Sequence, residues 1–450
     1  MKEKMNGVLK FLNHASYMYE SNDFIFICDP WLEGTAFNNG WQLLDQSTSN
    51  DDLLSYLVAK KKPVCIWYSH EHSDHFAVPF LKKLSKTQIQ TQFVFQTTHD
   101  SRIVDYLKKS EFSVSVLQDG ERFNITDDSW ISIWAWKSGD SFALMKFKDR
   151  TILNLNDCIV ANDHDSLSIK RLINNSGVNE IDILFTQFGY ANWCGNEFDT
   201  DLRKNEAKEK LTRIASQIKL IEPKNLVLFA SYIYFSHKEN FYLNDMQNTP
   251  MWIRKNHSLS KMQDRIFFLK PHDKFYLDDN LRESLKSLTS EAESHWQNLY
   301  DEAVPVGEND EIVPIEAIFS NFKEFRKNIF HNFLWVFAIL ELVGAIKSLR
   351  VKLVDTDDVI TLSYVKSIAI DSETDNWDIS MTSSVLSFSL KHFFGFDSTH
   401  VNGRFRTRTA EDNRKFLYFA GPQNMLKTGF GIKRPIATIK EFWRIARRKG

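Results

Sequence analysis

Glycine and proline are scarce, at 16 and 10 among 450 residues, and the four cysteines stand singly at positions 28, 65, 158 and 194. So little Gly and Pro excludes a collagenous or low-complexity chain and leaves little material for long flexible linkers. With no CxxC spacing, the cysteines offer neither a zinc knuckle nor a disulfide framework. Residues 1–10 are polar and charged, without the apolar stretch of a signal peptide. The expectation is a reducing, cytoplasmic setting with free thiols. Long apolar runs are missing too. The longest, 333–346, is interrupted by Glu341 and too short to span a bilayer, and it is expected to be a buried helix.

Net charge is almost absent, at −2, but it is unevenly placed. From Arg404 onward, 13 Lys/Arg face only Glu411, Asp412 and Glu441, a local charge of +10, so the first 403 residues carry −12. The basic run 444–449 beside Trp443 is expected to contact an anionic partner. What is plentiful is apolar material: 43% of the residues, with 36 Phe, enough for a large core.

Short apolar runs at 8–12, 17–20 and 24–28 read as an opening meander. Residues 64–69 read as a buried strand, followed by helical spacing over 76–86. Further strands are expected at 93–96, 114–117, 122–125, 130–136, 142–147, 151–156, 181–187 and 225–230, with a charged helix over 201–221. Two sets of strands with helices outside them predict an αββα sandwich within an α/β (α+β) chain. The proposed organisation is a sandwich domain over 1–280, a helical linker over 281–314 and a smaller α+β domain over 315–450.

The sharpest chemical signal is Tyr68-Ser69-His70-Glu71-His72-Ser73-Asp74-His75, where the strand at 64–69 gives way to the helix. Three imidazoles and a carboxylate on a tight turn can converge on one or two ions. His70 and His72 face one position, and Asp74 and His75 a neighbouring one. Such donors suit zinc, with iron and manganese also served.

This H-x-H-x-D-H resembles the metallo-β-lactamase superfamily. The stretches 68–84, 140–158 (DSFALMKFKDRTILNLNDC) and 229–245 (FASYIYFSHKENFYLND) resemble the metallo-β-lactamase-like part of the CMP-N-acetylneuraminate hydroxylase family. That family also carries a Rieske iron–sulfur domain, for which this chain has no suitable Cys-His pairs. The resemblance implies that Asp157 is the metal-bridging carboxylate and that His237 is the last metal-binding histidine. It also implies that the substrate is a small molecule or glycoconjugate. Residues 388–408 resemble sterol-carrier-like domains attached to bacterial members.

One departure stands out. The superfamily has another histidine near Trp136, and this chain has none between His99 and His164. A single or weaker metal, a ligand from elsewhere such as His14 or His164, or a lost activity would follow. His14, Tyr234 and Asn240 are expected to line the substrate pocket. In the leading reading the protein is a metallo-hydrolase of a phosphoester, amide or ester. Asp74 orients a metal-held hydroxide and His237 protonates the leaving group. An iron-dependent oxygenase of a sugar nucleotide, served by a separate reductase, and a degenerate binding protein are the alternatives.

Overall fold

The computed structural model describes residues 7–306, 310–371 and 375–447. Side chains at 442–447 lie outside that description, as does the basic run 444–449 as a candidate contact surface. Two seven-stranded sheets face each other. The first runs in the order Lys274–Tyr276, Val8–Asn13, Ser16–Glu20, Ile25–Cys28, Val64–Trp67, Thr91–Gln96, Ser113–Leu117. The second runs Ile266–Phe267, Asn225–Phe229, Ile183–Gln187, Arg150–Asn154, Ser141–Phe147, Ser129–Ala135, Arg122–Thr126. Each is antiparallel on one side and parallel on the other.

Strands such as Ile25–Cys28, Val64–Trp67 and Asn225–Phe229 are buried along their whole length, because sheets covered on both faces hide every side chain. One core fills the space between the sheets, with Tyr17 stacked on Phe185 and Tyr19 on Phe147. A second core lies outside the first sheet, under Asn50–Lys60, Val78–Leu84 and Arg102–Lys109. The layering is αββα, the sandwich that the strand pattern predicts.

Helix Leu281–Glu302, which begins the segment expected to be a linker, packs into the sandwich core through Leu285, Ala292 and Trp296. Trp296 stacks on Tyr232 at 3.8 Å. A third core gathers Phe-rich helices around a five-stranded sheet, Ser367–Ile370, Val359–Ser363, Leu349–Leu353, Ile379–Met381, Arg406–Thr407.

The run 333–346 corrects the expectation of one buried helix. Leu334, at φ 55°, breaks it into Ile315–Phe333 and Val336–Leu342. Phe333, Phe337, Ala338 and Ile346 are buried in the core and Leu340 packs partly against it, while Trp335, Ile339, Leu342 and Val343 are exposed. No helix among the described residues is long and apolar enough to cross a membrane.

Candidate metal centre

The metal-type donors lie where strands of both sheets end. Four non-glycine residues at those ends adopt positive φ: His14 (36°) after Val8–Asn13, Asp29 (41°) after Ile25–Cys28, Asn156 (49°) beyond Arg150–Asn154, and Ala230 (53°) after Asn225–Phe229. Left-handed backbone is costly for residues bearing a Cβ and tends to gather at functional sites. Here it turns the chain sharply. The Ala230 N–H donates to the His14 carbonyl (2.8 Å), so two of these corners hold each other.

Helix formation begins at Val78 rather than at the expected 76, because 72–77 is spent on tight turns. The N–H groups of His75 and Phe76 both donate to the His72 carbonyl, at 3.0 and 2.7 Å. The turn is pinned from behind. Gln96 Nε2 (2.8 Å) and Ser141 Oγ (2.6 Å) donate to the Ser69 carbonyl.

Protonation states follow from the bonds. Ser69 Oγ gives its only proton to Asp29 (2.7 Å), so at 2.9 Å it accepts from His70 Nδ1, leaving His70 Nε2 bare. His75 Nδ1 donates to Asp29 (2.9 Å), and its Nε2 lies 3.3 Å from both Asp74 Oδ2 and Asp157 Oδ2. His72 Nε2 points to Asp397 at 3.5 Å, turning its Nδ1 to within 3.0 Å of His70 Nε2. Burial opposes charge on His72, but its bond to Asp397 raises its pKa, and a protonated Nδ1 donates to His70 Nε2 across that distance until a cation takes the proton's place. The separation is close to the roughly 3.3 Å edge of a tetrahedral zinc site.

Two groups of donors are compact enough to hold an ion: His70, His75 and Asp157, and His14, Asp74 and His75. Both ring nitrogens of His14, Asp74 Oδ1 and Asp157 Oδ1 are buried without a hydrogen-bond partner. Buried polar atoms are rarely left so, and these donors fit a metal. Burial opposes charge on His75, yet Asp74, Asp157 and Asp29 hold its pKa well above the ordinary value. Burial would push Asp74 up, but His75 and His14 hold it well below the usual carboxylate range. His70 is driven well down by burial and by the neighbouring imidazoles of His75 and His72.

A cavity of about 590 Å³ opens on His72, Asp74 and Asp157. Its walls include Phe37, Trp41, Tyr190, Trp193, Lys210 and Arg213 from the sandwich, and Asp397, His400, Asn413 and Lys427 from the C-terminal part. Asp397 is held by Lys427 Nζ at 2.6 Å. Sequence reasoning missed Asp397 and Lys427, because nothing in residues 395–427 has ligand spacing.

Three expected site residues, like His72, stand outside the two compact donor groups. His237 joins neither group. It is buried, its Nδ1 accepts from the Glu239 N–H (3.2 Å), its Nε2 has no hydrogen-bond partner, and the charged groups acting on it are Arg404, Glu239, Asp310 and Lys238. Tyr234 donates to Gln42 (3.1 Å) on a strand that pairs with Trp41–Leu43. Asn240 donates to the carbonyls of Gly40 (2.9 Å) and Asn402 (2.6 Å), fastening chain segments rather than lining the cavity. Of these three, Asn240 alone bonds directly to the C-terminal part. His14 is drawn the other way, from the expected pocket wall into a donor group. His164 is exposed and takes no part.

No protein-family model matches the chain. Curated relatives include cytidine monophosphate-N-acetylneuraminic acid hydroxylase of Danio rerio, 25% identical over 260 residues, which are 54% of this chain and 41% of that protein. The inactive form of Homo sapiens is 26% identical over 268 residues, 55% and 50% of the two chains. The match therefore spans at most about half the length of these relatives. Among solved structures, the diiron β-hydroxylase CmlA of Streptomyces venezuelae is similar over 61% of this chain and 54% of that one, with 12% identity and a TM-score of 0.41. The metallo-β-lactamase fold protein YhfI of Bacillus subtilis is similar over 60% and 99%, with 11% identity and a TM-score of 0.38.

Proposed function

We propose that this metallo-β-lactamase-like protein is a metal-dependent hydrolase of an anionic ester, with a phosphoester favoured over a neutral amide or lactone. The observation that carries the reading is His75 Nε2, 3.3 Å from both Asp74 and Asp157, which links two donor groups at the floor of one cavity. His70, His72, Asp74, His75, Asp157 and His14 would hold one or two ions. Bound there, the metal supplies a water acidic enough to ionise near neutral pH and polarises the scissile group.

The chain's own residues supply the rest. Asp74 Oδ2 lies between His14 Nε2 (3.4 Å) and His75 Nε2 (3.3 Å), where, held ionised, it orients a water. Lys210 and Arg213 place positive charge on the cavity wall, which selects an anionic substrate. Burial, with Arg213 beside it, lowers Lys210 to about 8. At that value its ammonium can give a proton to a leaving oxygen at neutral pH, the role first expected of His237. The aromatic walls, Phe37, Trp41 and Trp193, suit a ring or sugar attached to that anion.

Metal-loaded protein is expected to hydrolyse an aryl phosphodiester. Chelation or His75→Ala should reduce turnover to background, and Lys210→Met should slow it while metal content is kept. No turnover of aryl phosphodiesters or esters by a fully loaded protein would overturn the reading. A second reading, an iron-dependent oxygenase of a sugar nucleotide, is favoured by the curated relatives, which are hydroxylases by name. Oxygen consumption by iron-loaded protein with a reductant and a sugar nucleotide would select it.

A further inference from the structure

Trp136, where the superfamily pattern calls for another histidine, is turned away from the metal loop. Its indole N–H donates to the Ile159 carbonyl (2.9 Å) and its ring packs edge-on against Phe142. Asp140 is turned toward the loop. It immediately precedes Ser141, whose hydroxyl is bound to the Ser69 carbonyl, so the backbone at 140–141 is tied to the residue before His70. The Asp140 side chain is 7% exposed and lines the same cavity as His72, Asp74 and Asp157. Its carboxylate has no hydrogen bond or ion pair with any described residue. The charged groups that act on it are His72, Asp157, Glu71 and His75.

A carboxylate so deeply buried is normally paired, because desolvating it alone is expensive. A cation is the partner this surrounding provides for.

We propose that Asp140 is a metal donor, taking the place of the missing imidazole beside His70 and His72. That position is then bounded by two imidazoles and two carboxylates, Asp140 and Asp157. One neutral ligand has become an anionic oxygen. The set is harder and more negative than a three-imidazole set, and it shifts preference from zinc toward manganese or ferrous iron. The inference rests on the metal-centre reading and is independent of the reaction catalysed there.

The test is metal binding by the full chain. Wild type, Asp140→Asn and Asp140→His are stripped, titrated with manganese and with zinc against a chelating dye, and their cobalt(II) absorption spectra recorded. Asp140→Asn is expected to weaken manganese binding by about 100-fold while the metal-free protein melts no lower than wild type. Asp140→His is expected to raise the zinc-to-manganese affinity ratio and to alter the cobalt spectrum. Unchanged affinities in Asp140→Asn, or an unchanged cobalt spectrum in Asp140→His, overturn the assignment even if Asp140→Asn folds poorly. A wild type that binds neither metal overturns the metal-centre reading itself, which is a distinguishable result.

Discussion

Asp29 accepts from four donors at once: the Ser69 N–H (2.8 Å), Ser69 Oγ (2.7 Å), His75 Nδ1 (2.9 Å) and Asn156 Nδ2. Hydrogen bonds to a charged group contribute about 1.5–3 kcal/mol each. This buried carboxylate therefore fixes the rotation of His75 more firmly than packing alone would. His75 also faces Asp74 and Asp157, and its raised pKa means the metal-free imidazole carries a proton at neutral pH. The sign follows directly. The charged ring stabilises the metal-free fold fully below the ordinary histidine value, and that contribution is lost as pH rises through the raised folded value. A metal must displace that proton. Uptake at pH 7 is expected to release at least one proton per chain, with affinity rising roughly tenfold per pH unit. Calorimetric titration in buffers of different ionisation enthalpy reads the release directly, and a heat independent of buffer would count against His75 as a ligand.

At the scale of elements, the loop 70–75 and the strand before it share one short stretch of sequence, so four candidate donors were legible from their spacing. Asp157 was reached by resemblance and lies with them because strand Arg150–Asn154 ends at the same edge of the sandwich. Asp397 had no such signal. It is brought in by helix Gly395–Asn402, whose end is set by Gly403 in the left-handed conformation (φ 68°). A Cβ at Gly403 would lie 2.4 Å from Leu243 Cδ1, so the close approach also requires glycine. Lys427, the last residue of helix Ala410–Lys427, holds Asp397 in place. A carboxylate behind a ligating imidazole fixes its tautomer and raises its basicity. Asp397→Ala is expected to weaken metal binding by about 10–100-fold, and Lys427→Met to act in the same direction but less. Unchanged metal affinity in both variants would reduce Asp397 to a surface ion-pair partner. The exposed apolar side chains of 333–346 teach the opposite lesson. Hydrophobicity alone predicted burial, but a single left-handed residue, Leu334, changed which face of the run the core receives.

At the scale of the molecule, the sandwich and the C-terminal part are joined by polar groups that neither could satisfy alone. Arg404 is 1% exposed and binds Glu239 (2.8 Å), Asp310 and the Asn38 carbonyl (3.1 Å). Asn402 Nδ2 donates to the Phe37 carbonyl (2.9 Å). Removing one partner from a buried ion pair leaves uncompensated charge. Arg404→Ala is therefore expected to cost about 3 kcal/mol, read as a lower urea midpoint, with Arg404→Lys recovering part of it. An unchanged midpoint would mean that Glu239 and Asp310 are solvated by other means.

The sequence by itself determined the layered sandwich, through strands apolar along their whole length, and offered one loop of candidate metal donors, of which His70, Asp74 and His75 fall into the compact groups. Only the tertiary structure decided that His14 joins Asp74 and His75, that His237 and Asn240 face the junction with the C-terminal part while Tyr234 turns to Gln42, and that Asp140 and Asp397 line the cavity. The reason is physical. Residue spacing fixes which side chains share a local turn. Which distant ones meet them depends on where strand ends and left-handed corners deliver them, and on the partners left over once the backbone is paired.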